Sequence, residues 1–313
     1  MTDAILSALI QGTLLGGHYA IMAVGLSLMV GVVRFINLAH GDLAVLGALA
    51  AVTAVQVGGL PVWLAVALVL PVMAGLGWIL HAVLFARAMR GGLLLPILVT
   101  IGLGAVLQNG MYGLWGPDIR SLGADIGSFA WASWSLPGGI LVGQLPVMVF
   151  GTAILVIGGL SFLLRRTRLG RAIRAVSMDA EAAEMCGVDS RKAHRAASAI
   201  AVTLAGLAGV FLAMRTQVTP YAGPAQLIFA FEAVVIGGIG SIWGTLIGGI
   251  ILGLAQALGG LISAQASLLS GHLVFFAVLI FRLWRAHAAD HGGWIATLRR
   301  RPARSVPATE ARS

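Results

Sequence analysis

Asn37, His40 and Asp42, set among Gly31 and Gly41 in the run GVVRFINLAHGD, place three polar side chains between two apolar stretches. They could hydrogen-bond a solute or line a water path if the segment re-enters the membrane, where irregular backbone is tolerated only beside water or protein. An ordinary turn between helices accounts for them too. Glu232 is the one acid inside an apolar run. A carboxylate there faces the bundle interior or a water-filled cavity, unless it sits at the wet interface. Beyond it, Gly237, Gly238, Gly240 and Ser241 break the run. Gly240 with Gly244, and Gly244 with Gly248, have the small-xxx-small spacing of close helix contacts. His18 and Tyr19 follow Gly16 and Gly17. They could line a cavity, although a histidine on an apolar face is expected to be a satisfied packing residue.

A second set of residues carries charge. Residues 165–195 hold Arg165, Arg166, Arg168, Arg171, Arg174, Arg191, Lys192 and Arg195, with Glu181, Ala182, Ala183 and Gly187 among them. A membrane protein keeps such a stretch in water, where another protein can touch it. On a helix Glu181 and Ala182 lie near Met185 and Cys186 through i+4 spacing, and Gly187 is placed to end that helix as a C-terminal cap. No G-x-x-x-x-G-K-[ST] occurs, and the only lysine follows Arg191 rather than a glycine-rich loop, so no Walker site is expected. H-E-x-x-H and G-x-S-x-G are also missing. The single cysteine, Cys186, excludes an internal disulfide and any multi-cysteine metal motif. Catalytic residues, cofactors and a metal site are therefore not expected.

The elements that must position these groups follow from composition. Hydrophobic residues make up 59% of the 313 and charged residues 10%, with 43 glycines. That balance belongs to a polytopic membrane protein. Apolar runs fall near residues 5–33, 43–57, 62–85, 93–115, 145–164, 196–214, 227–239, 243–262 and 268–284. The expectation is an all-α integral membrane protein, a polytopic helical bundle of about eight to ten spans with nine favoured. The glycines near 237–249 leave open whether the seventh and eighth runs are one broken helix or two short ones. Residues 1–285 form the membrane domain, with 165–195 as a cytoplasmic loop and 286–313 as an unstructured cytoplasmic tail. With the N-terminus outside, basic residues fall inside except Arg120 and Arg215, as the positive-inside rule requires. The outer loop 116–144, with Trp131, Trp134, Pro137, Gly138 and Gly139, is expected as an interfacial segment or a loose lid. The net charge of +9 lies beside membrane spans, so lipid headgroups rather than nucleic acid are the expected partner.

In order along the chain, His18-Tyr19-Ala20 after Gly17, Asn37-Leu38-Ala39-His40-Gly41, Gly170-Arg171-Ala172-Ile173-Arg174-Ala175 with Asp179, and Gly237-Gly238-Ile239-Gly240-Ser241 resemble motifs of LivH-type permeases. These belong to branched-chain amino acid ABC importers, within a wider group importing hydrophobic amino acids, amides and urea. The likeness covers nearly the whole chain. It implies a permease subunit of the inner (plasma) membrane that makes and breaks no bond in its solute. It also implies a second, LivM-like permease, two LivG/LivF-like ATPase subunits that use ATP and Mg, and a periplasmic or surface solute-binding protein. On this resemblance Asp179, Glu181, Ala182, Ala183 and Gly187 form the coupling loop that docks into the ATPase. Asn37, His40, Gly41, Glu232, Gly237, Gly238, Gly240 and Ser241 are then the pathway-lining candidates. The C-terminus departs from the family: Phe281-Arg282-Leu283-Trp284-Arg285 replaces a basic-Pro-x-Gly-Leu-Phe-Gly tail, which leaves urea or short amides as an alternative cargo. A self-contained secondary transporter, with Glu232 or Asp42 as its coupling acid, is the other alternative.

Overall fold

The computed structural model describes residues 2–298 apart from 93, 137 and 138. In chain order the elements are α1 (Thr2–Leu28), extended by a π-helical turn (Met29–Val33), then α2 (His40–Gln56) and α3 (Val62–Leu80). A second π-helical turn (His81–Phe85), α4 (Ala86–Ala88) and a 3-10 turn (Met89–Gly91) lead to α5 (Leu94–Trp115). The strands β1 (Ser133–Leu136) and β2 (Ile140–Gly143) precede α6 (Gln144–Arg166), α7 (Arg168–Met178), α8 (Ala180–Met185) and α9 (Ser190–Arg215). The chain closes with α10 (Gly223–Gly237), α11 (Ile242–Gly260) and α12 (Ala264–Leu298).

Among the described residues, seven helices are long and apolar enough to cross a membrane, and two shorter apolar helices, His40–Gln56 and Gly223–Gly237, join them. Each of the nine expected apolar runs is thus a helix, and the two shortest runs are the two short helices. Residues 237–241 resolve as a turn between two helices, not a kink in one. Gly244 and Gly248 of α11 face Gly237 and Ala233 of α10 with no room for a Cβ, so the pair is an antiparallel hairpin. Gly240 has a different role from the small-xxx-small one expected: it lies in the turn at φ +80°, against Gly31.

Six of the helices, α1–α3 and α9–α11, form two triplets that exchange partners. α1 and α9 run antiparallel at the centre, with Gly25 of α1 against Ala201 of α9. α2 packs on α9 while α10 packs on α1, and α3 packs on α9 while α11 packs on α1. This exchange of partners is what an inverted internal repeat produces, and it gives structural form to the glycine breaks in the first and last thirds. The most extensive of these contacts is α1 on α11, where Gly12 and Gly16 meet Gly253 and Gly249 backbone to backbone. Small residues permit that approach, which is the main source of packing energy between helices in lipid.

Segment 116–144 is more ordered than a loose lid. It contains a 3-10 turn (Gly127–Ala130) and the antiparallel β1–β2 pair, with Trp134 opposite Val142. Trp131 and Trp134 are exposed, as an interfacial role requires; Pro137 and Gly138 lie outside the described residues. The chain divides into two compact units, 1–275 and 276–313. In the second, α12 continues to Leu298, so helix extends past Arg285, and the rest of the expected tail lies outside the described residues.

Candidate functional site

The basic stretch is a pair of short helices. Thr167 caps α7, accepting from the Gly170 amide at 3.0 Å. Ile173 and Val176 are buried while Arg171 and Arg174 are exposed, so one face of α7 seals the bundle and the other meets solvent. Asp179 ends α7 and starts α8, its carboxylate accepting from the Glu181 and Ala182 amides at 3.0 Å each. An N-cap of this kind contributes about 1 kcal/mol. At the other end the Gly187 amide donates to the Glu184 carbonyl at 2.9 Å and the Val188 amide to the Ala183 carbonyl at 3.0 Å. Those are the two bonds of a Schellman cap, and Gly187 takes the left-handed conformation it needs, at φ +81°. Asp189 then caps α9 through the Lys192 amide at 3.0 Å, which, together with the Lys192 ammonium, holds its carboxyl below the usual range. Ala183 is buried, whereas Glu181, Met185 (84% exposed) and Cys186 are presented outward.

A bond that the sequence did not suggest ties this segment to the bundle. Arg34 ends the π-helical turn of α1 in a left-handed conformation, φ +62°. Its guanidinium donates to the Ser177 and Met178 carbonyls at 2.7 and 3.0 Å. These are terminal carbonyls of α7, where a cation complements the helix dipole. The same π-helical turn places Gly31 against Gly240. Three expected site regions, the coupling segment, the start of segment 34–41 and the 237–241 turn, are therefore in physical contact at one end of the bundle.

Segment 34–39 is re-entrant in shape. Met22 stands eleven residues before Val33, roughly 16 Å of helix at 1.5 Å per residue, yet His40 Nε2 lies 3.1 Å from the Met22 carbonyl. The chain has turned back along α1 before α2 begins. Asn37 and His40 are fully buried, and Asn37 Oδ1 accepts from the Ala39 amide at 3.1 Å. Gly41 packs on Gly223, so the N-termini of α2 and α10 meet inside the bundle. The buried Asp42 carboxylate lies at that junction, accepting from Gln108 Nε2 at 2.9 Å. Glu232 is buried; its Oε1 pairs with the partly exposed His272 at 2.5 Å while its Oε2 has no partner. Gly237, Gly238, Gly240 and Ser241 form the α10–α11 turn, where Ser241 caps α11 by accepting from the Gly244 amide.

The open space is elsewhere. A cavity of about 690 Å³ lies at the end opposite the basic segment, and it is lined by α1, β2, the start of α6, the end of α9 and the α11–α12 connection. Its polar lining is Ser7, Gln11, His18, Arg215, Gln256 and Ser267. His18 is 2% exposed and both ring nitrogens lack a partner. Gln256 is 4% exposed; its Oε1 accepts from the Tyr19 hydroxyl at 2.6 Å, but its Nε2 has no partner. Each such group left unpaired costs about 1–3 kcal/mol. His18 is thus not the satisfied packing residue expected of it. None of the eight pathway candidates lines this cavity, and the signal that could have found it was the set of lone polar residues, Gln11, His18 and Gln256, within apolar runs. Among the described residues no group of His, Cys, Asp and Glu could hold a metal ion.

A family model described as "Branched-chain amino acid transport system / permease component" matches residues 8–283. The chain is 32% identical over 265 residues to the high-affinity branched-chain amino acid transport system permease protein BraD of Pseudomonas aeruginosa, covering 81% of this chain and 86% of that protein. It is 30% identical over 293 residues to the permease protein LivH of Salmonella typhimurium, covering 89% and 92% respectively. It is also 31% identical over 245 residues to the ribose import permease protein RbsC of Escherichia coli, covering 75% and 72%. No solved structure matches the chain.

Proposed function

The chain belongs to the family of branched-chain amino acid transport permease components, and from that membership we propose that it forms part of the translocation pathway of an ATP-driven importer of branched-chain amino acids. Permeases of this kind are multi-pass membrane proteins that work with ATPase and solute-binding partners and are not themselves the enzyme. The assembly we propose has a LivM-like second permease and two LivG/LivF-like ATPases that bind ATP and Mg. A solute-binding protein delivers cargo at the cavity end. The N-terminus is outside and the basic segment cytoplasmic, in the inner membrane, because eight basic residues at 165–195 are held in water on that side.

The observation that carries this reading is the α7–α8 segment. It is a short helix closed by caps at both ends, exposed along Glu181, Met185 and Cys186, and bonded through Arg34 to the end of α1. Such a piece moves as a unit. When the ATPases close on ATP, displacement of α8 would pull on α7 and hence on the π-helical turn at Met29–Val33, which also touches the 237–241 turn. A packed network of this kind can carry a two-state switch to the pathway. The cargo assignment rests on what BraD and LivH are named for; the further likeness to a ribose permease is the reason to measure it directly.

The test is reconstitution with the candidate ATPases, comparing wild type with Gly187→Trp and Glu181→Arg. Loss of ATPase binding and of ATP-driven uptake in both is the expected result. If both survive in both variants, docking at this segment is wrong. Uptake by this chain alone, driven by an ion gradient and indifferent to ATP, would instead establish a secondary transporter.

A further inference from the structure

The cavity at the end opposite the basic segment combines three properties. It holds a cation, Arg215, and among the described residues no acidic side chain lines it. Two buried side chains, His18 and Gln256, bring polar atoms without partners to its wall. The rest of the wall is aliphatic, with Leu14 and Leu15 from α1 and Leu261 from the α11–α12 connection. Arg215, His18 and Gln256 line the same cavity, so the cation and the unpartnered groups share one site rather than two. Its volume falls within the ordinary range of small-molecule pockets.

We propose that this cavity is a binding site for the α-carboxylate and aliphatic side chain of an amino acid on its way into the membrane. The Arg215 guanidinium offers paired N–H donors with the spacing of a carboxylate's two oxygens. Gln256 Nε2, whose amide is held by the Tyr19 hydroxyl on its other side, donates a further bond. A nitrogen of the His18 ring, which has no partner in the protein, supplies an acceptor suited to the ammonium group. The aliphatic wall takes the side chain. In the empty protein the unpartnered His18 and Gln256 atoms are a cost, and a ligand that pairs them recovers it. Discrimination follows from the same chemistry: a molecule with a branched apolar tail but no carboxylate forgoes the paired bonds to Arg215, whose side chain is otherwise exposed. A polyol leaves the aliphatic wall in contact with hydroxyls.

This site rests on the amino-acid importer reading, and the experiment separates the two. Ser7→Cys in a Cys186→Ser background puts one thiol in the cavity lining, and an impermeant thiol reagent added outside reports its accessibility in the assembled importer. L-leucine is expected to slow labelling about tenfold, and L-leucinamide, which lacks the carboxylate, is expected not to. Arg215→Gln should abolish the protection, Arg215→Lys should keep part of it, and Gln256→Leu should weaken it, with co-purification of the ATPases checking that each variant is assembled. ATP-driven leucine uptake by the unmodified importer without protection of the thiol, or protection that survives Arg215→Gln, would overturn the site alone. Failure of the unmodified importer to take up leucine would sink the cargo reading and this site with it.

Discussion

The two ends of the bundle solve opposite problems. Along the α7–α8 segment the helix termini are closed: Asp179, Gly187 and Asp189 cap them, and Arg34 closes the last carbonyls of α7, whereas the neighbouring re-entrant segment buries Asn37 Nδ2 and His40 Nδ1 without partners. At the opposite end His18 and Gln256 are buried with polar atoms unpaired around an open cavity. A satisfied, rigid surface suits a contact that must transmit force, and an unsatisfied, roomy interior suits a contact that must be made and released. Between them run α1 and α9, which reach from one end to the other and are in contact along the way. The lesson is that satisfaction of hydrogen bonds, more than charge or burial taken singly, separates the lever from the binding pocket.

Gly187→Val should break the basic end most severely. A β-branched residue in the left-handed region costs about 2 kcal/mol locally, and with the Schellman cap lost the α8 surface is no longer presented. ATPase co-purification should be lost while thiol labelling of the cavity is unchanged. At the other end His18→Phe should do the reverse: removing two unpaired ring nitrogens beside a cavity with room for the larger ring should stabilise the solubilised protein by about 1–3 kcal/mol, read as a higher Tm, while leucine protection is lost. A lower Tm would show that His18 is satisfied and that the contrast between the ends is false.

Arg34→Gln sharpens the comparison by separating attachment from transmission. It removes the charge-assisted bonds to Ser177 and Met178 but leaves both caps of α8. ATPase binding should persist while solute moved per ATP falls about tenfold; unchanged coupling would mean that the α7 contact is only structural. Asp179→Ala is the mildest change, costing about 1 kcal/mol for the cap, which corresponds to roughly fivefold weaker ATPase affinity. Asp179→Asn, which keeps an accepting oxygen, should behave close to wild type.

These regions differ in how far the sequence discloses them. The apolar runs, the basic segment and the cap residue Gly187 are local signals, and each appears where its spacing places it, whereas Asp179 stands out in the sequence only as part of a family motif and its capping role comes from the structure. The hairpin of α10 and α11 was visible as a glycine break, but only the backbone contact of Gly237 with Gly244 distinguishes two helices from one bent helix. The re-entrant course of segment 34–39 was one of two open readings, because polar residues between apolar runs look alike whether the chain turns in water or folds back. The cavity was not legible. His18, Arg215 and Gln256 come from α1, α9 and α11, and each is a lone polar residue in its own stretch. What brings them together is the stacking of Gly12 and Gly16 on Gly253 and Gly249, which depends on helix pairing rather than on any motif. Arg34 was hidden for a related reason: its partners are main-chain carbonyls, which leave no mark in the sequence.

The central claim, that α7–α8 is where the motor subunits attach, can be tested without changing a residue. Cys186 is the only cysteine of the chain and is exposed at the end of α8. Its rate of modification by a soluble thiol reagent should be measured for the permease alone and in the transporting assembly. Strong protection of Cys186 in the assembly, reversed when the ATPases are stripped away, is the predicted result. Equal labelling in both states, with uptake intact, would contradict the account.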